Sequence, residues 1–324
     1  MADVLTGAAL AAGLADPEWC EAPVTDAISP LTVATIDSGA AIDVTPALPR
    51  LVVGIGGATA PGADAFDVIV ADETALGPLA AACDHNPTAV TALAQLLRVS
   101  QAMPVADALV AESLAYSSLL GGSEFARWRV AQPARAHQAT TEPVLVAHAE
   151  RLVTITLNRP RVHNAYDAAM RDALVDGLRP LAALPDPPAV ELRGAGPTFS
   201  SGGDLSEIGA TADVARAHLI RTARAPGLLL HTLRNRSTAY VHGRCVGAGV
   251  ELPAFCGRVE ADRATTFRLP EIAMGLVPGA GGTVSLARRI GRQRTAWLAV
   301  SGTEIDAPTA CAWRLVDAIT ATRA

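Results

Sequence analysis

Two glutamates, Glu251 and Glu271, lie twenty positions apart among apolar neighbours: Val250 and Leu252 flank the first, Pro270 and Ile272 the second. Burial disfavours the charged form of a carboxyl group, raises its pKa toward neutrality and suits it to proton transfer there. Two such groups facing one water molecule could add that water across a polarised double bond or take it away. Two loops supply what such a reaction also needs. Phe199-Ser200-Ser201-Gly202-Gly203-Asp204-Leu205 and Gly243-Arg244-Cys245-Val246-Gly247-Ala248-Gly249-Val250-Glu251-Leu252 each follow an expected strand and lead into an expected helix. A helix start presents N–H groups without intrahelical partners and a partial positive charge. Two converging helix starts would form an oxyanion hole, the arrangement that stabilises a developing enolate. One such loop alone says little, because small residues before helices are common.

Composition removes several other chemistries. All 26 basic residues are arginine, which excludes a Schiff-base lysine and a phosphate-loop lysine. The net charge of -6 argues against a nucleic-acid binder, whose footprint is a basic stripe. The seven histidines form no ligand-spaced cluster, so no metal site is expected. No Gly-x-Ser-x-Gly nucleophile elbow occurs. Gly54-Ile55-Gly56-Gly57 lacks the third glycine of a dinucleotide loop, Thr59 standing in its place, and reads as a glycine turn. The five cysteines (Cys20, Cys83, Cys245, Cys256 and Cys311) form no close pair and read as small apolar side chains rather than disulfides. Met1-Ala2-Asp3 does not open a secretion signal, and the apolar runs are cut well short of a membrane span. A cytoplasmic protein with neither nucleic acid nor membrane as partner is expected.

The chemistry-bearing residues need a frame. Half of the 324 residues are hydrophobic and only 4% are aromatic, so Ala, Val and Leu must fill most of the core. Residues 1–48 are rich in Ala, Pro and Thr with weak periodicity, and no fold is assigned to them. Residues 49–128 read as strands at Leu51–Ile55 and Phe66–Val70, followed by apolar residues at helical spacing such as Val90, Leu93, Ala94 and Leu97. Pro87 and Pro104 stand where helices could begin. Residues 129–142 are polar and small and read as a linker. From Pro143 strands and helices alternate: a hairpin-like pair at 144–157, a helix near Ala168–Leu181, a short strand at 189–192, a helical stretch at 213–234 interrupted at Pro226-Gly227, and a strand at 237–241. This alternation predicts an α/β fold with helices packed outside a sheet.

Four motifs then fall in one order. Leu157-Asn158-Arg159-Pro160 with Asn164-Ala165 comes first, then Phe199–Leu205, then Gly247–Leu252, then the run from Leu269 to Thr283. With them, residues 143–317 resemble the core of the enoyl-CoA hydratase/isomerase (crotonase) family. The resemblance implies a ββα-superhelix core and a coenzyme-A thioester as substrate, with coenzyme A part of that substrate and no separate cofactor. It implies that Glu251 and Glu271 hold the water, Glu251 activating it and Glu271 delivering a proton to the α-carbon. It assigns the oxyanion N–H groups to Ser201 and Ala248, the coenzyme-A-contacting turn to Arg161, Val162 and His163, and a structural role to Asp204. The implied activity is hydration of a 2-enoyl-CoA to a 3-hydroxyacyl-CoA. Alternatives on the same fold are a double-bond isomerase, a thioester hydrolase or a cofactor-free oxygenase. Outside enzymology the alternative is a non-catalytic acyl-CoA-binding or scaffold protein, against which the retained glutamate pair argues. The resemblance also implies a homo-oligomer, a trimer or hexamer.

The sequence departs from the family at both ends of the core. Family members continue past the region of Leu315-Val316-Asp317 into helices that cover the acyl pocket; here the chain reaches Ala324, and residues 1–142 precede the core. Residues 67–101 and 106–128 are themselves similar to that C-terminal segment, with an Asn86-Pro87 step, an internal Glu112 and a closing Ser123-Glu124-Phe125. Residues 49–128 are thus either a transposed lid over the acyl pocket or a helical extension that docks elsewhere. The two differ in whether residues 79–125 lie beside Glu251 and Glu271.

Overall fold

A computed structural model describes residues 3–26, 28–36, 41–133 and 136–320. The N-terminal residues take up more regular structure than their pattern suggests. β1 (Val4–Leu5), β2 (Leu31–Thr35), β3 (Leu51–Ile55) and β4 (Val68–Val70) form a parallel sheet in that order. Between β1 and β2 run α1 (Gly7–Leu14) and α2 (Pro17–Thr25), which start on side-chain caps from Thr6 and Asp16. The weak periodicity has a physical cause. A parallel strand is covered on both faces, and Leu31 through Ala34 are all buried, so no alternation marks β2.

Four helices follow: α3 (Gly77–His85), α4 (Pro87–Ser100), α5 (Val105–Leu120) and α6 (Ser123–Ala131). Pro87 opens α4 and Pro104 immediately precedes α5, as their sequence positions suggest. Glu124 of α6 caps α4 by accepting the Thr88 and Ala89 N–H groups at 2.7 and 3.0 Å. Residues 129–131 belong to α6, so the irregular connection starts at Gln132 rather than at Arg129.

The second half carries β5 (Val144–Ala149), β6 (Leu152–Leu157), β7 (Ala189–Gly194), β8 (Ser237–Val241), β9 (Arg244–Val246), β10 (Arg258–Asp262), β11 (Thr266–Arg268), β12 (Ile305–Asp306) and β13 (Ala318–Thr320). Six of them make the main sheet in the order β13-β10-β8-β7-β6-β5, parallel except for the β5–β6 hairpin. β12, β11 and β9 make a small sheet beside it. The helices are α7 (Ala168–Ala182), α8 (Val214–Ala223), α9 (Pro226–Thr232), α10 (Ala248–Glu251), α11 (Gly282–Ile290), α12 (Arg292–Ser301) and α13 (Ala307–Ala312). The break between α8 and α9 falls at Arg224-Ala225, with Pro226 opening α9 rather than interrupting a helix. The architecture is mixed α/β with parallel sheets, as the alternation predicts.

Asp67, 1% exposed, ties the N-terminal sheet to the rest. Its carboxylate accepts the Val52 N–H and pairs with Arg98 of α4 and Arg292 of α12. All five cysteines are free. No helix among the described residues is long and apolar enough to cross a membrane.

Candidate active site

The two glycine loops lie against each other. The Val246 N–H donates to Ser200 O at 3.1 Å. A Cβ on Gly202 would stand 2.7 Å from Val246 O and 3.6 Å from Gly247 Cα, so the backbones meet at a distance that only glycine allows. Gly247 has φ 49°, and a Cβ there would collide with Glu271 Oε1. The second loop therefore sits between the first loop and one of the two glutamates.

The free N–H groups of these loops differ from the expected set. Ser201 N–H donates to His163 O at 2.9 Å and is spent on the fold. Gly202 N–H is taken by Ser200 Oγ at 3.2 Å. Among the described residues, the N–H of Gly203 has no protein acceptor, and neither has that of Ala248; both residues line the same cavity. Assigning the first oxyanion donor to Ser201 is therefore corrected. An isolated bridge between Tyr166 and Gly203 shapes the loop so that the bonds fall on Gly202 O and Asp204 N, leaving Gly203 N–H unused.

Both glutamates are in the cavity wall. Glu251, 2% exposed, ends the single turn of α10. Its Oε2 accepts the N–H groups of Ala280 and Gly282 at 2.7 and 2.8 Å. Burial pushes its pKa up to about 7, while those two donors pull it back. Glu271 opens the short turn to Met274. Its Oε2 is buried without a hydrogen-bond partner among the described residues. Burial first, then the nearby charges of Glu251 and Glu112, raise it well above the ordinary carboxyl value. An orphaned buried oxygen is uncommon in a folded protein and, in a cavity wall, marks a group held ready for a ligand or a water.

A third carboxylate joins them from the N-terminal half. Glu112 of α5 is 2% exposed. Its Oε1 accepts Gly281 N–H at 2.7 Å, and its Oε2 accepts Thr283 N–H at 2.9 Å and the Thr283 hydroxyl at 2.6 Å. Four consecutive N–H groups at the start of α11 are thus shared alternately: 280 and 282 hold Glu251, 281 and 283 hold Glu112. These are the donors a helix start leaves without intrahelical acceptors. Burial and the charge of Glu251 push Glu112 up to about 8, against the pull of its three donors. In sequence Glu112 is only a landmark of resemblance. The signal for more is an acid mid-helix with Ala108, Leu109, Ala115 and Tyr116 three or four positions away.

The cavity measures about 1030 Å³. The second half of the chain forms its floor; Leu109, Tyr116 and Leu120 of α5 with Trp128 of α6 form its roof. Tyr116 packs where a Cβ on Gly279 would fall. Asn86 Nδ2 donates to Ile272 O at 2.7 Å, inside the turn that begins with Glu271. Residues 79–125 therefore do lie beside Glu251 and Glu271.

Of the expected coenzyme-A turn, Val162 and His163 line the cavity, whereas Arg161 is exposed and outside its wall. His163 and Asn164 both have positive φ, 54° and 53°. Buried Asn164 braces the turn against the first glycine loop: Oδ1 accepts Arg159 N–H, and Nδ2 donates to Ala195, Thr198 and Phe199 carbonyls. Asp204 pairs with Arg159 at 3.1 Å, consistent with a structural role. Spacing in sequence does not disclose that His137 comes near Asp167 and Asp204. Arg159 already supplies the positive charge there, 3.0 Å from Asp167.

The sequence model of the enoyl-CoA hydratase/isomerase family matches residues 148–324. Among curated proteins the chain is similar to 2,3-dehydroadipyl-CoA hydratase of Escherichia coli (strain K12), 35% identical over 167 residues, 52% of this chain and 65% of that one. It thus spans less than two thirds of that relative's length. Among solved structures it is similar to an enoyl-CoA hydratase from Bacillus anthracis, with TM-score 0.51 and 29% identity over 56% of this chain and 70% of the other. An enoyl-CoA hydratase from Mycobacterium smegmatis gives TM-score 0.51 and 32% identity over 55% and 70%.

Proposed function

The chain belongs to the enoyl-CoA hydratase/isomerase family, and we propose that it hydrates 2-enoyl-CoA thioesters to 3-hydroxyacyl-CoA. The observation that supports this best is the pairing of unlike carboxyls in one cavity. Glu251 is held by two N–H donors that favour its ionised form. Glu271 has a buried oxygen with no donor and a strongly raised pKa, which favours its protonated form. A base and an acid are thereby set apart by environment.

In this reading a water molecule held between the pair loses a proton to Glu251 as its oxygen bonds to Cβ. The π electrons of the double bond shift toward Cα, and charge develops on the thioester oxygen. Gly203 and Ala248 N–H groups receive that charge; a donor so placed lowers the barrier by roughly 3–4 kcal/mol, judged by removal in other enzymes. Glu271 then gives its proton to Cα, and a proton passed through cavity water from Glu251 resets the pair. The reaction so written uses no redox group and no metal. Val162 and His163 contact the coenzyme-A part of the substrate. Helices α5 and α6 serve as the family's transposed lid over the acyl group, and assembly into a trimer or hexamer follows the family resemblance.

The test is incubation with crotonyl-CoA and longer 2-enoyl-CoA thioesters, following loss of the conjugated-thioester absorbance and identifying the product. Wild type is expected to form the 3-hydroxyacyl-CoA, and Glu271→Gln to lower kcat by about 10²–10⁴-fold with an unchanged circular dichroism spectrum. No hydroxyacyl product from any chain length would remove the hydratase reading.

A further inference from the structure

Three arginines line the cavity: Arg171, Arg221 and Arg224. Two have acidic partners. Arg171 pairs with Asp172 at 2.9 Å, and Arg224 with Asp172 and Asp176, both at 2.6 Å. Arg221, on α8, has no carboxylate within 4 Å among the described residues. Its Nε donates to Ser113 Oγ at 3.1 Å, and its Nη2 to Ser113 O at 3.4 Å and to Ser117 Oγ. Its guanidinium lies 4.9 Å from the centre of the Tyr116 ring. Nη1 has no protein acceptor among the described residues.

This cation is held in place by neutral groups and stacked on an aromatic face, with one arm of its fork open. Glu112 acts on it through space, but both Glu112 oxygens are committed to Gly281 and Thr283. A partly buried guanidinium without a counter-ion is costly unless a ligand brings one. Its planar fork matches a carboxylate in particular. Tyr116, on whose face Arg221 rests, lines the same cavity as Glu112, Glu251 and Glu271. Arg221 thus lines the same cavity as the acid–base pair, on the seam between the roof helix α5 and α8.

We propose that Arg221 receives a carboxylate at the distal end of the acyl group, so that the preferred substrates are 2-enoyl-CoA thioesters of dicarboxylic acids. The proposal rests on the reading of the cavity as an acyl-CoA site, and it adds the class of acyl group.

Binding and hydration separate the two claims. Calorimetry on the whole protein would compare hexanoyl-CoA with its analogue bearing a terminal carboxylate, neither of which can be hydrated. The carboxylate analogue is expected to bind at least about tenfold tighter. Arg221→Met is expected to erase that preference and Arg221→Lys to keep part of it. Hydration of hex-2-enoyl-CoA and of its terminal-carboxylate analogue by wild type should show the same order in kcat/KM. Equal binding of the two thioesters by wild type overturns the proposal. So does an Arg221→Met variant that weakens both ligands equally, as a contact to a coenzyme-A phosphate or a purely structural tie would. Failure to bind either ligand overturns it together with the acyl-CoA reading. A carboxylate preference in binding without any hydration product leaves this inference standing and removes the hydratase reading alone.

Discussion

The floor of the cavity adds backbone to its side chains: the N–H groups of Gly203 and Ala248, and the N–H groups of 280–283 that hold two carboxylates. The roof presents side chains: Glu112, Tyr116 and Leu120 of α5, and Trp128 of α6. The difference follows from what each is made of. Loops that end strands expose unpaired backbone groups, whereas a helix has used its own and can offer only its surface. On the proposed reading the acid–base pair and Arg221 belong to the floor, and the roof adds Glu112 and the aromatic face of Tyr116 beside Arg221. Glu112 is where the two meet.

The largest effect should come from the floor. Glu251→Ala is expected to lower kcat by about 10²–10⁴-fold and, because the Ala280 and Gly282 N–H groups lose their acceptor, to lower stability by about 1–3 kcal/mol. A variant that keeps most of its activity would move the base elsewhere, and steady-state hydration assays read this directly.

Glu112→Gln tests whether the roof supports that chemistry. One of its oxygens becomes a donor facing donors, so a loss of about 1–3 kcal/mol in urea unfolding is expected. As a positioning residue, Glu112 should affect kcat by about tenfold and KM much less. Its negative charge helps raise Glu271, so removing it should move the alkaline limb of the kcat profile to lower pH. A fall in stability with an unshifted profile would make Glu112 a structural tie only.

Stability should also record the burial of these acids. Glu251 is raised to about 7 and Glu112 to about 8 from an ordinary value of 4.5. In both cases the folded form binds the proton more tightly than the unfolded form. Their contribution is thus fully present below about pH 4.5 and is lost as pH rises through about 7–8. Calorimetric melts of wild type and Glu251→Gln between pH 5 and 9 should diverge, with the wild type losing more, on the order of a few kcal/mol. Parallel curves would show that burial does not set these values.

The smallest effect is expected where neither region reaches. Arg151 and Asp186 form an ion pair at 2.8 Å with both side chains mostly exposed. Arg151→Ala should change unfolding free energy by less than about 0.5 kcal/mol and leave hydration rates unaltered. A larger change would mean that the edge of the main sheet is coupled to the cavity.

Much of the floor was legible in sequence because its information is local. A glycine that must lie against another backbone, a proline that opens a helix, and a glutamate beside apolar residues are recognisable within a few positions. That is why Glu251, Glu271, Ala248 and the strand–loop–helix units could be placed in advance. β2 was not legible, since a strand buried on both faces carries no alternation. Ser201 was misassigned because which N–H of a loop stays free depends on the partners of its neighbours, here His163 O and Tyr166.

The family resemblance, the α/β frame and the two carboxyls with their glycine loops are all carried by residues close in the chain. That Glu112 shares the α11 start with Glu251, that α5 and α6 line the cavity, and that Arg221 stands there without an acid beside it came from the packing alone. Those facts rest on contacts such as Glu112 with Thr283, 171 positions apart. Such pairings are fixed by how helices and sheets pack, and no local pattern of residue types encodes them.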